Sequence, residues 1–154
     1  MTIVAMTFGG ILEYSGMLTA IINIILKFAR NTGSLVAATV VSCFATNATC
    51  SEQYISIVVP SRMYIKGYID RGLHPKNLSR ALEDGGTLTS VFIPWNTCGV
   101  FILATLGVHA YEYGPYAILN YIIPFISILF GFIGFKIVKM TDEEKAYYQT
   151  KSLG

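Results

Sequence analysis

Two short polar runs break otherwise apolar sequence, and both place an amide beside hydroxyls: Thr46, Asn47 and Thr49 in the first, Asn96 and Thr97 in the second. Amide and hydroxyl oxygens carry no charge and suit a hard monovalent cation that needs several oxygen ligands. The second run follows Pro94 and Trp95 and precedes Gly99, so it also interrupts a helix and frees backbone carbonyls. Val91 to Pro94 can supply those carbonyls at the negative end of a half-helix. Two carboxylates complete the set. Glu13 stands alone in an apolar stretch, and Glu52 lies just past the first run. A carboxylate in hydrocarbon costs roughly 2.5–3.5 kcal/mol on insertion scales, so one found there is a functional candidate by default. Burial raises its pKa and a nearby cation lowers it, so proton and cation compete for the same group. Glu13 is the leading proton-exchanging candidate and Glu52 the second; the plainer role for either is helix capping or lining a wet vestibule.

These residues need elements to hold them. Residues 86–108 contain no charged side chain and are long enough to cross a bilayer, yet Pro94, Asn96 and Gly99 interrupt them. Irregular backbone at membrane depth is tolerated only where protein buries it or a cavity is lined by it, and discontinuous helices form ion sites in secondary transporters. Four apolar blocks follow: residues 2–26, 34–60, 87–108 as the broken helix, and 116–135. A polar connection covers residues 62–84, and a tail covers 136–154. Within the connection, residues 75–84 read as a short surface helix that Gly85 and Gly86 terminate, with Asp84 as a cap for the next span.

Lys27 with Arg30, the 62–84 connection and the tail are all basic, whereas residues 109–115 carry no Lys or Arg. Basic loops stay cytoplasmic, which places residues 109–115 outside and the tail inside. Both ends of the 34–60 block then share one side. Its arms on either side of Asn47 are each too short to cross, so the block reads as a re-entrant hairpin with residues 46–49 at its tip. Gly131 and Gly134 are expected to pack the last span.

Composition agrees with a membrane protein: 53% of residues are hydrophobic and only 13% charged, against about 25% charged in soluble domains. The net charge of +2 does not suggest a nucleic-acid partner. Cys43, Cys50 and Cys98 lie in apolar segments without metal-ligand spacing and read as packing residues. No nucleophile–base set, phosphate loop or metal motif points to an enzyme, and no cofactor is expected.

The runs Ala-Thr-Asn-Ala-Thr-Cys-Ser-Glu-Gln-Tyr (45–54), Pro-Lys-Asn-Leu-Ser-Arg-Ala-Leu-Glu-Asp (75–84) and Ile-Pro-Trp-Asn-Thr-Cys-Gly (93–99) closely resemble the C-terminal part of NhaC-type sodium/proton antiporters. Residues 8–18 resemble that family too. The resemblance implies an all-α polytopic membrane protein of the broader ion-transporter fold, built from inverted repeats that each hold a re-entrant hairpin and a discontinuous helix. This chain corresponds to one such repeat. It implies sodium and proton as substrates, a plasma membrane location, and ion binding by Asn47, Thr49, Asn96, Thr97 and Thr46. A site made between two repeats also implies a partner: the complementary N-terminal half, or a homologous chain, if this chain is a fragment or split product. The alternatives are sodium- and proton-coupled exchange of small carboxylates, of the malate/lactate type, and a non-transporting subunit or inactive fragment.

Overall fold

A computed structural model describes residues 31–134, 137–141 and 144, with residues 7, 11, 14–16, 20 and 24 ahead of them. Most of the 2–26 block, Glu13 included, lies outside the described residues, as does most of the tail. The described residues are all-helical apart from one antiparallel bridge between Leu73 and Lys139.

Helix α1 spans Thr32–Cys50 and α2 spans Gln53–Asp70. Thr39, Thr46 and Thr49 do not break α1, because each hydroxyl donates to the carbonyl four residues back, at 2.8 Å. The chain reverses at Ser51, whose φ of 58° is left-handed, and Glu52, which is extended. The two helices then pack antiparallel. Tyr64 and Tyr68 on α2 are fully buried. Their hydroxyls meet α1 at Ser42 (2.6 Å) and Thr39 (3.2 Å), so two large side chains enter the core with their polar ends satisfied. The reversal corrects the expected tip: residues 46–49 are the last turn of α1, and Asn47 sits inside a helix. Nor does the second arm stop at Pro60, which is buried within α2.

Helix α3 (Pro75–Leu82) does not end at its glycines. It runs through a π-helical turn, Glu83–Thr87, into the short α4 (Leu88–Ser90). Gly85 and Gly86 serve close approach instead of termination. A Cβ on Gly85 would lie 2.8 Å from the Val40 Cα of α1, and one on Gly86 would lie 2.9 Å from Ile57 of α2. Asp84 therefore caps nothing; it lies inside the π-turn. The arm stops at Ser90, and helix α5 (Thr97–Leu106) resumes after the break. Helix α6 (Ala110–Tyr113) starts at His109, which makes a capping box with Glu112. A 3-10 turn, Gly114–Tyr116, leads into α7 (Ile118–Ile133).

Helix α7 packs antiparallel to α1 through small residues. A Cβ on Gly131 would come within 2.9 Å of Val36, and one on Gly33 within 2.7 Å of Phe132. A Cβ on Gly134 would meet nothing within 4 Å among the described residues; with φ +76° this glycine closes the helix. After α7 the chain returns to the α2–α3 connection. Asn77 donates to the Val138 carbonyl (2.6 Å) and accepts from the Val138 N–H (3.1 Å). Arg71 reaches the Asn31 carbonyl, so the start of α1, the α2–α3 connection and residues 137–140 gather at one end. Among the described residues α1 alone is long and apolar enough to cross a bilayer; residues 110–116 with α7 qualify as a pair bent by 64°. Leu119, Phe125, Leu129 and Phe132 on α7 are exposed, an outer face suited to lipid or to further protein.

Candidate functional site

The two interrupted elements meet. Asn47 in the last turn of α1 and Asn96 at the end of the second break are both fully buried. The Asn96 amide donates to Asn47 Oδ1 at 3.1 Å. Asn47 in turn donates to the Gly86 carbonyl at 2.7 Å and to Thr89 Oγ1 at 3.3 Å. Asn96 is also the N-cap of α5: its Oδ1 accepts from the Cys98 N–H at 3.1 Å and from the Thr97 hydroxyl at 3.4 Å. One amide pair thus joins the hairpin, the first arm of the broken helix and the second arm.

Other contacts pin the same place. The Thr97 N–H donates to the Ser51 carbonyl at 3.0 Å, and the half-exposed Trp95 donates its indole N–H to the Ala48 carbonyl at 2.9 Å. Cys98 donates to Gln53 Oε1 at 2.9 Å. Gly99 lets α5 start hard against the break, since a Cβ there would lie 2.4 Å from the Ile93 carbonyl oxygen. Tyr113 donates to the Val91 carbonyl.

Four helix ends converge here. Helices α1 and α4 end here and α2 and α5 begin here, so ends of partial negative and partial positive charge meet near the amide pair. Asn47 Oδ1 holds one donor and has a second lone pair available. The arrangement gathers uncharged amide, hydroxyl and carbonyl oxygens in one buried place. It offers an anion little, because the first amides of α5 are already taken by Ser51 and Asn96.

The structure therefore brings Asn47, Asn96 and Thr97 into one network. Thr46 is buried and Thr49 half-buried; both hydroxyls donate within α1, and among the described residues neither is hydrogen-bonded to the amide pair. Glu52 stands in the hairpin turn, with its Oε2 buried and without a hydrogen-bond partner among the described residues. Glu13 lies outside the described residues. Sequence reasoning missed Thr89 and the Gly86 carbonyl; the Gly-Gly pair at 85–86 was the available signal, since two glycines inside a helix point to a close neighbour as well as to a stop.

A profile of the Na+/H+ antiporter family matches residues 1–135. The chain belongs to this family. Its relatives include the Na(+)/H(+) antiporter NhaC of Bacillus subtilis, 42% identical over 84% of this chain and 29% of the relative. The arginine/ornithine antiporter ArcD of Halobacterium salinarum is 35% identical over 91% of this chain and 29% of its own length. The malate-2H(+)/Na(+)-lactate antiporter of Bacillus subtilis is 31% identical over 82% and 27%. The chain spans less than a third of the length of these family members, all of which are named as antiporters. No solved structure matches it.

Proposed function

We propose that this chain forms the C-terminal ion-binding repeat of a sodium/proton antiporter in a plasma membrane. The observation that carries the reading is the hydrogen bond between Asn96 and Asn47, a buried junction of two helix interruptions. Sodium binds at this junction by taking oxygens of Asn47, Asn96 and Thr97 with carbonyls from the ends of α1 and α4, while Thr46 and Thr49 supply hydroxyl oxygens once they turn from their own helix. Glu52, with a buried oxygen lacking a partner among the described residues, and Glu13 provide carboxylates at which proton and sodium compete. The α1–α2 pair is the re-entrant hairpin, and the end that gathers Arg71 and residues 137–140 faces the cytoplasm. The complementary inverted repeat comes from an N-terminal half or a homologous chain.

The engaged amides at the start of α5 weigh against a carboxylate as the exchanged substrate. Membership of the family and the 42% identity to NhaC favour sodium and proton.

The test replaces the matching segment of the Bacillus subtilis NhaC relative with this chain. The chimera is reconstituted in liposomes with a trapped pH dye, and a sodium step should drive proton movement. A chimera that inserts in the bilayer yet moves no protons, beside an active unaltered relative, overturns the proposal. Proton movement driven by malate or lactate and not by sodium alone would replace it with carboxylate exchange.

A further inference from the structure

The π-turn Glu83–Thr87 holds a buried carboxylate. Asp84 is 9% exposed, and its Oδ2 has no hydrogen-bond partner among the described residues. The nearby Arg80 Nε stands 3.9 Å from that oxygen, a charge contact too long for a hydrogen bond. Arg80 is half exposed and lies over the Phe130 ring of α7 at 5.8 Å. Such an i,i+4 pair adds little stability, whereas a buried oxygen left without a partner costs more than the pair returns. Fold stability does not explain an aspartate here. π-turns give up ladder regularity and occur frequently at functional sites.

A cavity of about 30 Å³ lies between α1, α3 and α7, lined among others by Asn77, Arg80, Ser127 and Ile137; Asp84 reaches it through Arg80 and Ser127. It is large enough for one water. Its walls include Arg80 and Ser127, the two polar partners that act on the Asp84 carboxylate. Asn77 and Ile137 line it where the tail pairs with the α2–α3 connection.

We propose that Asp84 is a further proton-exchanging carboxylate of the antiporter, served by water in this cavity. The inference rests on the antiport reading and deepens it. On protonation, an O–H bond forms at Oδ2 with a proton from cavity water, and the contact with Arg80 loses its charge. The cavity water regains its proton from the aqueous side, and deprotonation releases the Asp84 proton to water on the side that the transporter then faces. The turn transmits the change, because Gly86, two residues on, accepts from Asn47. The charged groups that act on Asp84 are Arg80 and Glu83; α7 contributes the Ser127 hydroxyl. Uncharged Val40 and Cys43 of α1, and Ser56 and Ile57 of α2, pack on the turn's glycines.

The experiment uses the same full-length chimera. Asp84→Asn should lower sodium-driven proton movement at least about tenfold, the effect of one pKa unit, and flatten its pH profile. Asp84→Glu should restore a pH-dependent profile with a displaced midpoint. An Asp84→Asn profile of unchanged shape, or a uniform loss at every pH that Glu does not reverse, overturns the inference. The unsubstituted chimera gives a second readout that does not depend on a variant folding. Dicyclohexylcarbodiimide should label Asp84 in acidic buffer and be excluded by sodium, as mapped by mass spectrometry; no label on Asp84 in acid overturns it too. Asn47→Ala separates the two readings. If that variant exchanges normally, the antiport site itself is misplaced; if it is inactive while Asp84→Asn behaves as the parent, only the role of Asp84 fails.

Discussion

The two chain interruptions that meet at the amide pair are built differently. The first is minimal: one left-handed residue, Ser51, and one extended residue, Glu52, with neither proline nor glycine. The second takes residues 91–96, contains Pro94, ends in the side-chain cap from Asn96, and needs Gly99 to let the next helix approach. A proline–glycine break is specified by its own residues, whereas a two-residue reversal depends on what surrounds it. Here the surroundings are the buried Tyr64 and Tyr68 contacts between α1 and α2 and the Thr97–Ser51 hydrogen bond.

Substitutions test that contrast, and the largest effect belongs to the second interruption. Gly99→Ala pushes a methyl into the Ile93 carbonyl and should cost about 3 kcal/mol, the upper range for overpacking, with sodium-driven proton movement lost in the chimera. Thermal unfolding in detergent measures the first and the pH dye the second. Asn96→Ala comes next. It removes the α5 cap and leaves Asn47 Oδ1 buried without its donor, so about 2 kcal/mol is expected. Asn47→Ala should cost a similar amount, because it leaves the Gly86 carbonyl and the buried Asn96 amide without this partner. A double-mutant cycle between the two should show coupling of about 0.5–3 kcal/mol; additivity would mean that the interruptions fold independently. The smallest effect is at the first interruption. Ser51→Gly relieves a left-handed backbone and should stabilise by up to about 1 kcal/mol, while Ser51→Val should destabilise. Equal unfolding temperatures for both variants would show that the reversal imposes no backbone demand.

The same contrast explains what could be read from residue order. Pro94 and Asn96 announced the second break, and basic residues at both ends of the 34–60 block announced that the chain turns back. The turning point was not legible. Thr46, Asn47 and Thr49 looked like a tip because they form the polar centre of a block whose arms are too short to cross; in the structure the two hydroxyls donate to helix carbonyls within an unbroken α1. Ser51 carries no propensity signal for a left-handed φ. Gly85 and Gly86 were read by their usual place after a helix, although a Cβ on them would lie only 2.8 Å from Val40 and 2.9 Å from Ile57, so they mark where helices touch. Asn47, Asn96 and Thr97 were legible as a set because uncharged oxygens in apolar sequence are few. Their partner at Gly86 was not, since a backbone carbonyl leaves no mark in a sequence. Nor did Asp84 stand out, lying at the edge of a charged connection that hid its burial.

The grip of Asn77 on both the N–H and the carbonyl of Val138 couples the start of α3 to the segment that follows α7. The segment after α7 and the first turn of α3 are fastened together at one end, and the far end of the α3–α4 arm is held by Asn47 at Gly86 and Thr89. The arm is thus a rod with a handle: a pull on residues 137–140 arrives, along one continuous stretch of helix, at the amides of the buried junction.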